Sequence, residues 1–295
     1  MYERIKNIIT STLLHKQIIA YMLKFSVLMS IYFKERSDFL RASLDSILQQ
    51  ELLPEEIILM EDGLLTPELD HTIEEFEKRT PLLKVYKLKE NHGLGYALNK
   101  GLLLCNYDII ARMDTDDICK PSRFKEEMAI LEANPDIAVV GSWVDEFVDT
   151  PERVLTIRTV PEHPEEIAVF ARKRNPMNHP TVMFRKSEVL DAGNYISMLF
   201  FEDYYLWARM ITQGKKLYNI QHSLLFFRRN AGLSSRRGGT VYIKKEFQFQ
   251  KAIQSLGLIN RRTMLSNCLI RFCIRLIPNC FRSFLYIKFL RNMAQ

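Results

Sequence analysis

The sequence predicts an α/β protein with a parallel, doubly wound sheet. Short apolar runs over residues 25–32, 56–60 and 83–88 indicate buried strands, and apolar residues at helical spacing separate them. A further apolar run, residues 109–113, ends in three carboxylates within four positions. Strands that alternate with helices are typical of parallel sheets, in which ligands bind beyond the carboxyl ends of the strands.

The length of the chain limits the number of domains, and its charge distribution limits the kinds of partner it can bind. The chain has 295 residues, 47% of them hydrophobic, so it can bury a core in one large domain or two small ones. Residues 261–295 contain seven Lys and Arg and no acid, so the total charge of +6 leaves −1 for residues 1–260. A nearly neutral body argues against a nucleic-acid partner, which a basic surface would attract.

The cysteines and the apolar runs indicate in which cellular compartment the protein is expected. The five cysteines form no Cys-x-x-Cys pair, so we expect reduced thiols in a cytoplasmic setting. No apolar run reaches the roughly 18 residues of a spanning helix, and Ile8–Leu23 lacks a secretory cleavage site. The strand pattern starts at Phe25, so residues 1–24 are predicted as an N-terminal extension, with Met1 or Met22 as the true start.

The first half contains the clearest helix signals. Ser37 or Asp38 is the predicted N-cap of the helix that follows the first strand. Pro54 breaks that helix before the second strand, which ends in Glu61-Asp62-Gly63. A helix around residues 67–79 leads to the third strand.

Glycines follow the third strand. Asn91-His92-Gly93-Leu94-Gly95 runs into a helix, and glycines before a helix N-terminus let backbone amides approach a diphosphate closely. A simple tight turn would explain the same residues. The third glycine of a dinucleotide fingerprint is absent, which argues against an NAD-dependent dehydrogenase.

The acidic segment Asp114-Thr115-Asp116-Asp117 stands at the predicted end of the fourth strand. Like charges in such a turn repel one another unless a cation neutralises them. Mg²⁺ and Mn²⁺ favour carboxylate oxygens and a substrate's phosphates. The alternative is an acidic, solvated loop that caps a helix.

The second half is less regular. Pro121 and Arg123 are predicted to open a helix, a strand follows at residues 137–141, and residues 142–175 are predicted as strand and loop. His179 precedes a strand-like run. Glu202 and Asp203 start an apolar helix, where acids commonly complement the helix dipole.

The C-terminal tail has a helical apolar stripe. Its members are Leu265, Cys268, Leu269, Phe272 and Leu276, with Arg271 and Arg275 beside them; Pro278 breaks the pattern. A basic amphipathic element without acids suits an anionic membrane surface. The alternative is a helix pair whose apolar side packs on the main domain while its arginines face water.

In their order along residues 25–235, these motifs resemble the family-2 glycosyltransferases, inverting enzymes with the GT-A fold. The resemblance implies a mixed, doubly wound sheet with flanking helices and a helical basic tail. It also implies a catalytic domain over residues 25–235, with a nucleotide-binding half (25–117), an acceptor half (118–235) and a tail (236–295).

The resemblance also implies roles for single residues. Asp62 would accept a hydrogen bond from the uracil base, with Tyr32 near it, and Asp116 and Asp114 would hold Mn²⁺ or Mg²⁺. Asp203 would be the catalytic base, with Glu202 beside it. The other implied nucleotide-sugar contacts are Glu35, Asn91, Gly93, Asn99, Arg112, Thr115 and Asp114.

One position departs from the family pattern. Many members have a metal-holding histidine late in the catalytic region, where this chain has Phe227-Arg228-Arg229-Asn230, with Asn230 in the histidine's place. His179, His222 or water could substitute, so the third ligand stays open. Arg228, Arg229 or Arg237 would add charge from a mobile lid, and His179 and Asn230 are further lid or acceptor candidates.

The resemblance is strongest to the branch that builds bacterial surface polysaccharides, including amylovoran-type galactosyltransferases. It implies transfer of a hexose (galactose, glucose or an N-acetyl derivative) from a UDP-sugar to a glycan or lipid-linked glycan, in O-antigen, capsule or exopolysaccharide synthesis. The enzyme would lie on the inner face of the cell membrane.

Two alternatives remain open. A sugar-nucleotide nucleotidyltransferase would be expected to carry a glycine-rich loop after the first strand, but residues 30–37 contain no glycine. A membrane-surface adaptor without enzymatic activity would use the tail alone. Sugar transfer would exclude the adaptor.

Overall fold

The computed structural model describes residues 23–229, 239–276 and 292–293. The predicted extension up to residue 22 lies outside the described residues. So do the lid candidates Asn230 and Arg237, and so does most of the tail beyond Leu276.

The first half of the chain forms the predicted parallel strands. Strand β1 lies between β2 and β4, and β3 pairs with β2 on the far side. The bounds are β1 (Phe25–Ile31), β2 (Glu56–Glu61), β3 (Leu83–Lys87) and β4 (Ile109–Arg112). Strands β1, β2 and β4 are almost entirely buried because helices cover both faces of the sheet.

Three helices connect these strands, namely α1 (Ser37–Leu48), α2 (Pro67–Arg79) and α3 (Leu94–Leu104). The apolar sides of α1 and α2 join one core cluster and that of α3 joins a second one. A Cβ on Gly101 would lie 2.6 Å from Leu28 and 2.7 Å from Met60, so glycine lets α3 approach the sheet. The predicted cap of α1 is wrong by one residue. Arg36 occupies the cap, and Asp38 pairs with it from the first turn.

The second half adds antiparallel strands to the same sheet. Strand β8 pairs antiparallel with both β4 and β6, β7 pairs antiparallel with β6, and β9 runs parallel to β6. The bounds are β5 (Ile118–Cys119), α4 (Arg123–Ala133), β6 (Ile137–Phe147), β7 (Thr156–Arg158), α5 (Pro164–Phe170), β8 (Met183–Arg185), α6 (Lys186–Asp191), α7 (Glu202–Thr212) and β9 (Lys216–Arg228). The sheet is therefore mixed, which confirms the sheet that the family resemblance implies, and its first half has the parallel strands that the alternation of strands and helices predicts. The chain enters β8 from a 3₁₀ turn at the carboxyl end of β4, so it can only run back along β4.

Helix α5 was missed by the expectation of strand and loop over residues 142–175. It has only seven residues, too few to show helical periodicity. Pro164 occupies its first position, and Glu165 and Glu166 complement its N-terminus.

Two C-terminal helices, α8 (Gly239–Ser255) and α9 (Arg261–Leu276), pack against α7. The ring of Phe249 stacks on Phe201 at 4.6 Å and lies 4.5 Å from the ring of Tyr204. A last strand, β10 (Asn292–Met293), pairs with β7. Among the helices of the described ranges, none is long and apolar enough to cross a bilayer.

Candidate active site

The carboxyl ends of β1, β2 and β4 meet at one edge of the sheet. Ile31 is paired with Glu61, and Leu28 with Arg112, so the residues after each strand lie side by side. Tyr32 and Asp62 follow the ends of β1 and β2 directly, and Asp114 comes two residues after the end of β4. This edge is where doubly wound sheets bind ligands.

Asp114, Asp116 and Asp117 form one acidic group, in which oxygens of all three carboxylates lie within 4.8 Å of one another. Asp114 pairs with the buried guanidinium of Arg112. Asp117 is completely buried, and its Oδ1 accepts the backbone N–H of Arg228 at 2.8 Å. Its Oδ2 finds no hydrogen-bond partner among the described residues, which is the environment expected of a cation ligand.

Two carboxyls of the acidic group, those of Asp116 and Asp117, have raised pKa values. Burial, followed by the charges of Asp114 and Glu35, raises the pKa of Asp116 to about 7. Burial, with Asp116 and Asp114, raises the pKa of Asp117 well above its usual range. A divalent cation would take the place of these protons, so the three carboxylates fit Mn²⁺ or Mg²⁺.

Histidines do not join this group within the described residues. The Nε2 of His179 lies 3.1 Å from the hydroxyl of Tyr195, and burial, then the charge of Arg112, lowers the pKa of His179 well below its usual range. His222 contacts Glu126 at 2.8 Å on the surface. The third carboxylate beside the predicted ligands is Asp117, which is adjacent in sequence to Asp116.

Glu35 belongs to the same electrostatic environment. Thr115 donates its hydroxyl to the Glu35 carboxylate at 3.1 Å. Burial is the main cause that raises the pKa of Glu35, against hydrogen bonds from Arg36 and Thr115, and Asp114 adds to the rise. The structure therefore brings Glu35 to the acidic group.

A buried ion pair between Arg123 and Glu127 contacts the end of β4, next to the acidic group. Arg123 and Glu127 are both fully buried, and the Arg123 guanidinium donates to Glu127 at 3.1 Å and to the carbonyl of Arg112 at 2.7 Å. The pair thus fixes the strand end that carries Asp114. Sequence reasoning missed it, although Arg and Glu four residues apart on one helix were a usable signal.

Replacing Glu127 by glutamine is expected to reduce the free energy of unfolding by about 3–5 kcal/mol, because the Arg123 charge would remain buried without its counter-charge. Urea unfolding measures the change. The matched control is Glu126→Gln, one residue earlier and at the surface, which should change stability by no more than about 0.5 kcal/mol. Equal stability of the two variants would contradict the supporting role of the pair.

Asp62 holds the segment of residues 91–95, which we call the glycine loop. Its two carboxylate oxygens accept the backbone N–H groups of His92 and Gly93, each at 2.8 Å, and Asn91 donates to its carbonyl at 3.0 Å. Gly93 caps α3 with φ +88°, which favours glycine. Asp62 therefore shapes the loop at the N-terminus of α3. Its contact with a uracil base stays a prediction, as does that of Tyr32.

Helix α3 packs directly against the start of α7. A Cβ on Gly95 would lie 2.8 Å from Cγ of Glu202. Asn99 donates to the carbonyl of Tyr195 at 2.8 Å and accepts a hydrogen bond from Asn194 at 3.2 Å. The structure thus uses Asn99 to fix the loop before α7, and Gly95 of the glycine loop lies against the side chain of Glu202.

The second acidic pair opens α7. Burial, with the charge of Asp203 as the next raising cause, raises the pKa of Glu202 to about 7. Asn175, which sequence reasoning missed, donates to the Asp203 carboxylate at 2.6 Å. Burial chiefly raises the pKa of Tyr195, and the charges of Asp203 and Asp114 both add to the rise. The charges of Asp203 and Asp114 therefore act on the same phenol.

The placement of Arg228 on a mobile lid is wrong. Arg228 ends strand β9, is 7% exposed, and lies between the rings of Phe39 and Phe147, with its carbon Cζ 4.0 and 4.5 Å from their centroids. Its Nε donates to the carbonyl of Asp116 at 2.9 Å. These contacts fix Arg228 beside the acidic group. Arg229 lies near Glu146, 3.9 Å away.

The sequence model described as Glycosyl transferase family 2 matches residues 26–201. An uncharacterized glycosyltransferase of Haemophilus influenzae is 41% identical over 92% of this chain and 100% of its own length. A UDP-Gal:alpha-D-GlcNAc-diphosphoundecaprenol beta-1,3-galactosyltransferase of Escherichia coli is 36% identical, and the match covers 91% of this chain and 97% of that protein. The amylovoran biosynthesis glycosyltransferase AmsE of Erwinia amylovora is 38% identical, and the match covers 90% of this chain and 98% of that protein.

Solved structures share the fold. TarS of S. aureus in complex with UDP-GlcNAc has a TM-score of 0.63 at 16% identity, covering 90% of this chain and 73% of that one. The mannosyltransferase PcManGT from Pyrobaculum calidifontis, in complex with GDP-Man and Mn²⁺, has a TM-score of 0.58 at 15% identity. This match covers 91% of this chain and 79% of that one. At these identities the likeness concerns architecture alone.

Proposed function

The chain belongs to glycosyl transferase family 2, and we propose that it transfers a hexose from a UDP-sugar to a lipid-linked glycan, with inversion and with Mn²⁺ or Mg²⁺. The product would be part of a bacterial surface polysaccharide. The observation that carries the proposal is the acidic group of Asp114, Asp116 and Asp117, of which Asp114 acts by its charge on the same buried phenol, Tyr195, as Asp203 does. The galactosyltransferase and AmsE relatives support the donor, the acceptor class and the pathway class.

The acidic group would hold the leaving diphosphate through a bound cation. Asp114, Asp116 and Asp117 would bind the cation, which supplies Lewis-acid stabilisation of the charge that the diphosphate gains. Arg112 keeps Asp114 in place, and Arg228 keeps the Asp116 backbone in place. Asp62 fixes the glycine loop, and the N-terminus of α3 that follows would offer backbone N–H groups to the same diphosphate.

The acceptor side would activate the hydroxyl. Asp203 would take the proton of the acceptor hydroxyl, and the amide of Asn175 orients its carboxylate. Attack from the side opposite the diphosphate inverts the anomeric centre, so an α-linked UDP-sugar gives a β-linkage. Galactose, glucose and their N-acetyl derivatives are the candidate sugars, and pocket shape decides among them.

A panel of nucleotide sugars, with and without Mn²⁺, tests this function. We expect UDP-hexoses to raise the melting temperature only when the metal is present, and one of them to give a β-linked product on a lipid-linked glycan. Stabilisation by every nucleotide sugar alike, or an α-linked product, would contradict the proposal.

Helix α9 supports the proposed membrane contact. Its buried residues include Met264 and Asn267, whereas Leu265 (54% exposed), Leu269 (63%) and Phe272 (47%) face solvent. Arg261 and Arg262 are exposed at its start, and Glu246, the only acid in residues 239–276, is buried and paired with Arg271. This arrangement argues against the alternative in which the apolar stripe packs inward. An exposed apolar and cationic surface favours anionic lipid.

Replacing Leu265 and Leu269 together by serine is expected to weaken binding to anionic vesicles by about 10-fold or more, because each leucine would lose on the order of 1–2 kcal/mol of burial in lipid. Vesicle flotation measures this. The control is the pair Leu53→Ser and Leu103→Ser, which are also exposed leucines, but in the nucleotide-binding half. Unchanged flotation of the α9 variant would exclude this surface.

A further inference from the structure

Three consecutive cations, Arg172, Lys173 and Arg174, precede the asparagine that contacts the proposed base. All three side chains are exposed. The segment follows α5, and Asn175 places it beside Asp203, the proposed base. We define residues 172–174 as the basic segment.

The backbone of the basic segment is held by side chains from two helices. The hydroxyl of Tyr204 on α7 donates to the carbonyl of Ala171 at 2.7 Å. On α9, Asn267 donates to the carbonyl of Arg172 at 2.9 Å, and Arg271 donates to the carbonyl of Lys173 at 2.6 Å. Three successive carbonyls are thus bonded to the protein interior, so the backbone is fixed while the cationic side chains point outward.

Hydrogen bonds at both ends of the basic segment place it near the proposed base. Asn175, which follows Arg174, donates to the Asp203 carboxylate at 2.6 Å. Tyr204, which follows Asp203, donates to the carbonyl of Ala171, the residue before Arg172. The donor's diphosphate would be held at the other side, by the acidic group and its cation, so an anion at the basic segment belongs to the acceptor.

We propose that Arg172, Lys173 and Arg174 bind the diphosphate of an acceptor in which the glycan is joined to the lipid through a diphosphate. Exposed cations on a fixed backbone match the charge of a diphosphate and donate several charge-assisted hydrogen bonds to it. The inference rests on the proposed function, and it assigns a task to α9, which holds this segment in place.

Kinetics with water-soluble acceptors test the proposal. Two acceptors carry the same sugar and the same short alkyl chain, one through a diphosphate and one through a neutral glycosidic link. Turnover of either acceptor by the unaltered enzyme establishes transfer itself, and failure on both would remove the proposed function together with this inference. We expect the unaltered enzyme to prefer the diphosphate acceptor in kcat/KM.

The test variant replaces the basic segment by Arg172→Gln, Lys173→Gln and Arg174→Gln. The expected result is a 10–100-fold loss of the preference for the diphosphate acceptor, through its KM, with the KM for the UDP-sugar unchanged. The variant Arg172→Lys with Arg174→Lys keeps the charges and should keep most of the preference. A retained preference in the triple variant, or a raised KM for the UDP-sugar, would overturn the proposal.

A matched variant with the same loss of charge separates the acceptor from membrane lipid. It carries Lys244→Gln, Lys251→Gln and Arg261→Gln, all at exposed positions on α8 and α9. This control should keep the diphosphate preference and lose binding to anionic vesicles, and the basic-segment variant should do the reverse. Loss of vesicle binding alone in the basic-segment variant would assign the segment to lipid headgroups and overturn the proposal.

Discussion

Replacing Asp203 by asparagine is expected to lower kcat by about 10²–10⁴-fold, because the acceptor hydroxyl would lose the group that takes its proton. Asparagine keeps the shape of the side chain and can still contact Asn175. Binding of the UDP-sugar should stay nearly unchanged, since Asp203 is proposed to contact the acceptor and not the donor. Turnover and donor affinity, measured separately, check both parts of this prediction.

The neighbouring acid provides the control for Asp203. Glu202→Gln removes a carboxylate from the same turn of α7, where Gly95 packs against the side chain. We expect a smaller loss of turnover than for Asp203→Asn. Near-normal turnover of Asp203→Asn would remove Asp203 from the role of base, and a larger loss in Glu202→Gln would transfer that role to Glu202.

Replacing Asp116 by asparagine is expected to lower kcat/KM on the order of 10³-fold, because a bound cation stabilises the leaving diphosphate by several kcal/mol. The variant should also lose the metal-dependent gain in melting temperature that a UDP-sugar produces. This second readout separates lost metal binding from a general defect.

The control for Asp116 is Asp136→Asn. Asp136 is an exposed aspartate that pairs with Lys216 at the surface, away from the acidic group. Its replacement should leave both transfer and metal-dependent stabilisation unchanged. An Asp116→Asn variant that still gains stability from metal and UDP-sugar would contradict the assignment of this carboxylate.

The sequence was most informative where local chemistry decides structure. Helix α2 runs over residues 67–79 as predicted, because Thr66 caps it, Pro67 starts it and its apolar residues keep helical spacing. The acidic group was also predictable, since like charges crowded at a strand end need a cation. The mixed sheet followed from the family resemblance, whereas periodicity alone favoured a parallel sheet.

Long-range contacts were not predictable from sequence. Arg228 was assigned to a lid because nothing local shows that Phe39 and Phe147, far away in the chain, enclose it. Asn175 meets Asp203 across 28 residues, and its own segment gave no pattern. The two oxygens of Asp62 meet backbone groups about thirty residues away, which no motif spacing indicates.

The orientation of α9 is a further feature that the sequence alone could not predict. The sequence predicted its apolar stripe, but it could not say whether that stripe faces the protein or the solvent. The structure answers through Met264 and Asn267, which pack inward, and Leu265 and Leu269, which do not. Packing against α7 and α8 decides this orientation, and such packing depends on aromatic residues in distant segments.

The most direct test of the account measures release of UDP coupled to sugar transfer after a chelator has removed divalent cations. The account predicts that transfer falls to background and returns when Mn²⁺ or Mg²⁺ is added, and that the Asp116→Asn variant does not recover. Transfer that continues undiminished in the chelator would contradict the central claim, that the acidic group works through a bound cation.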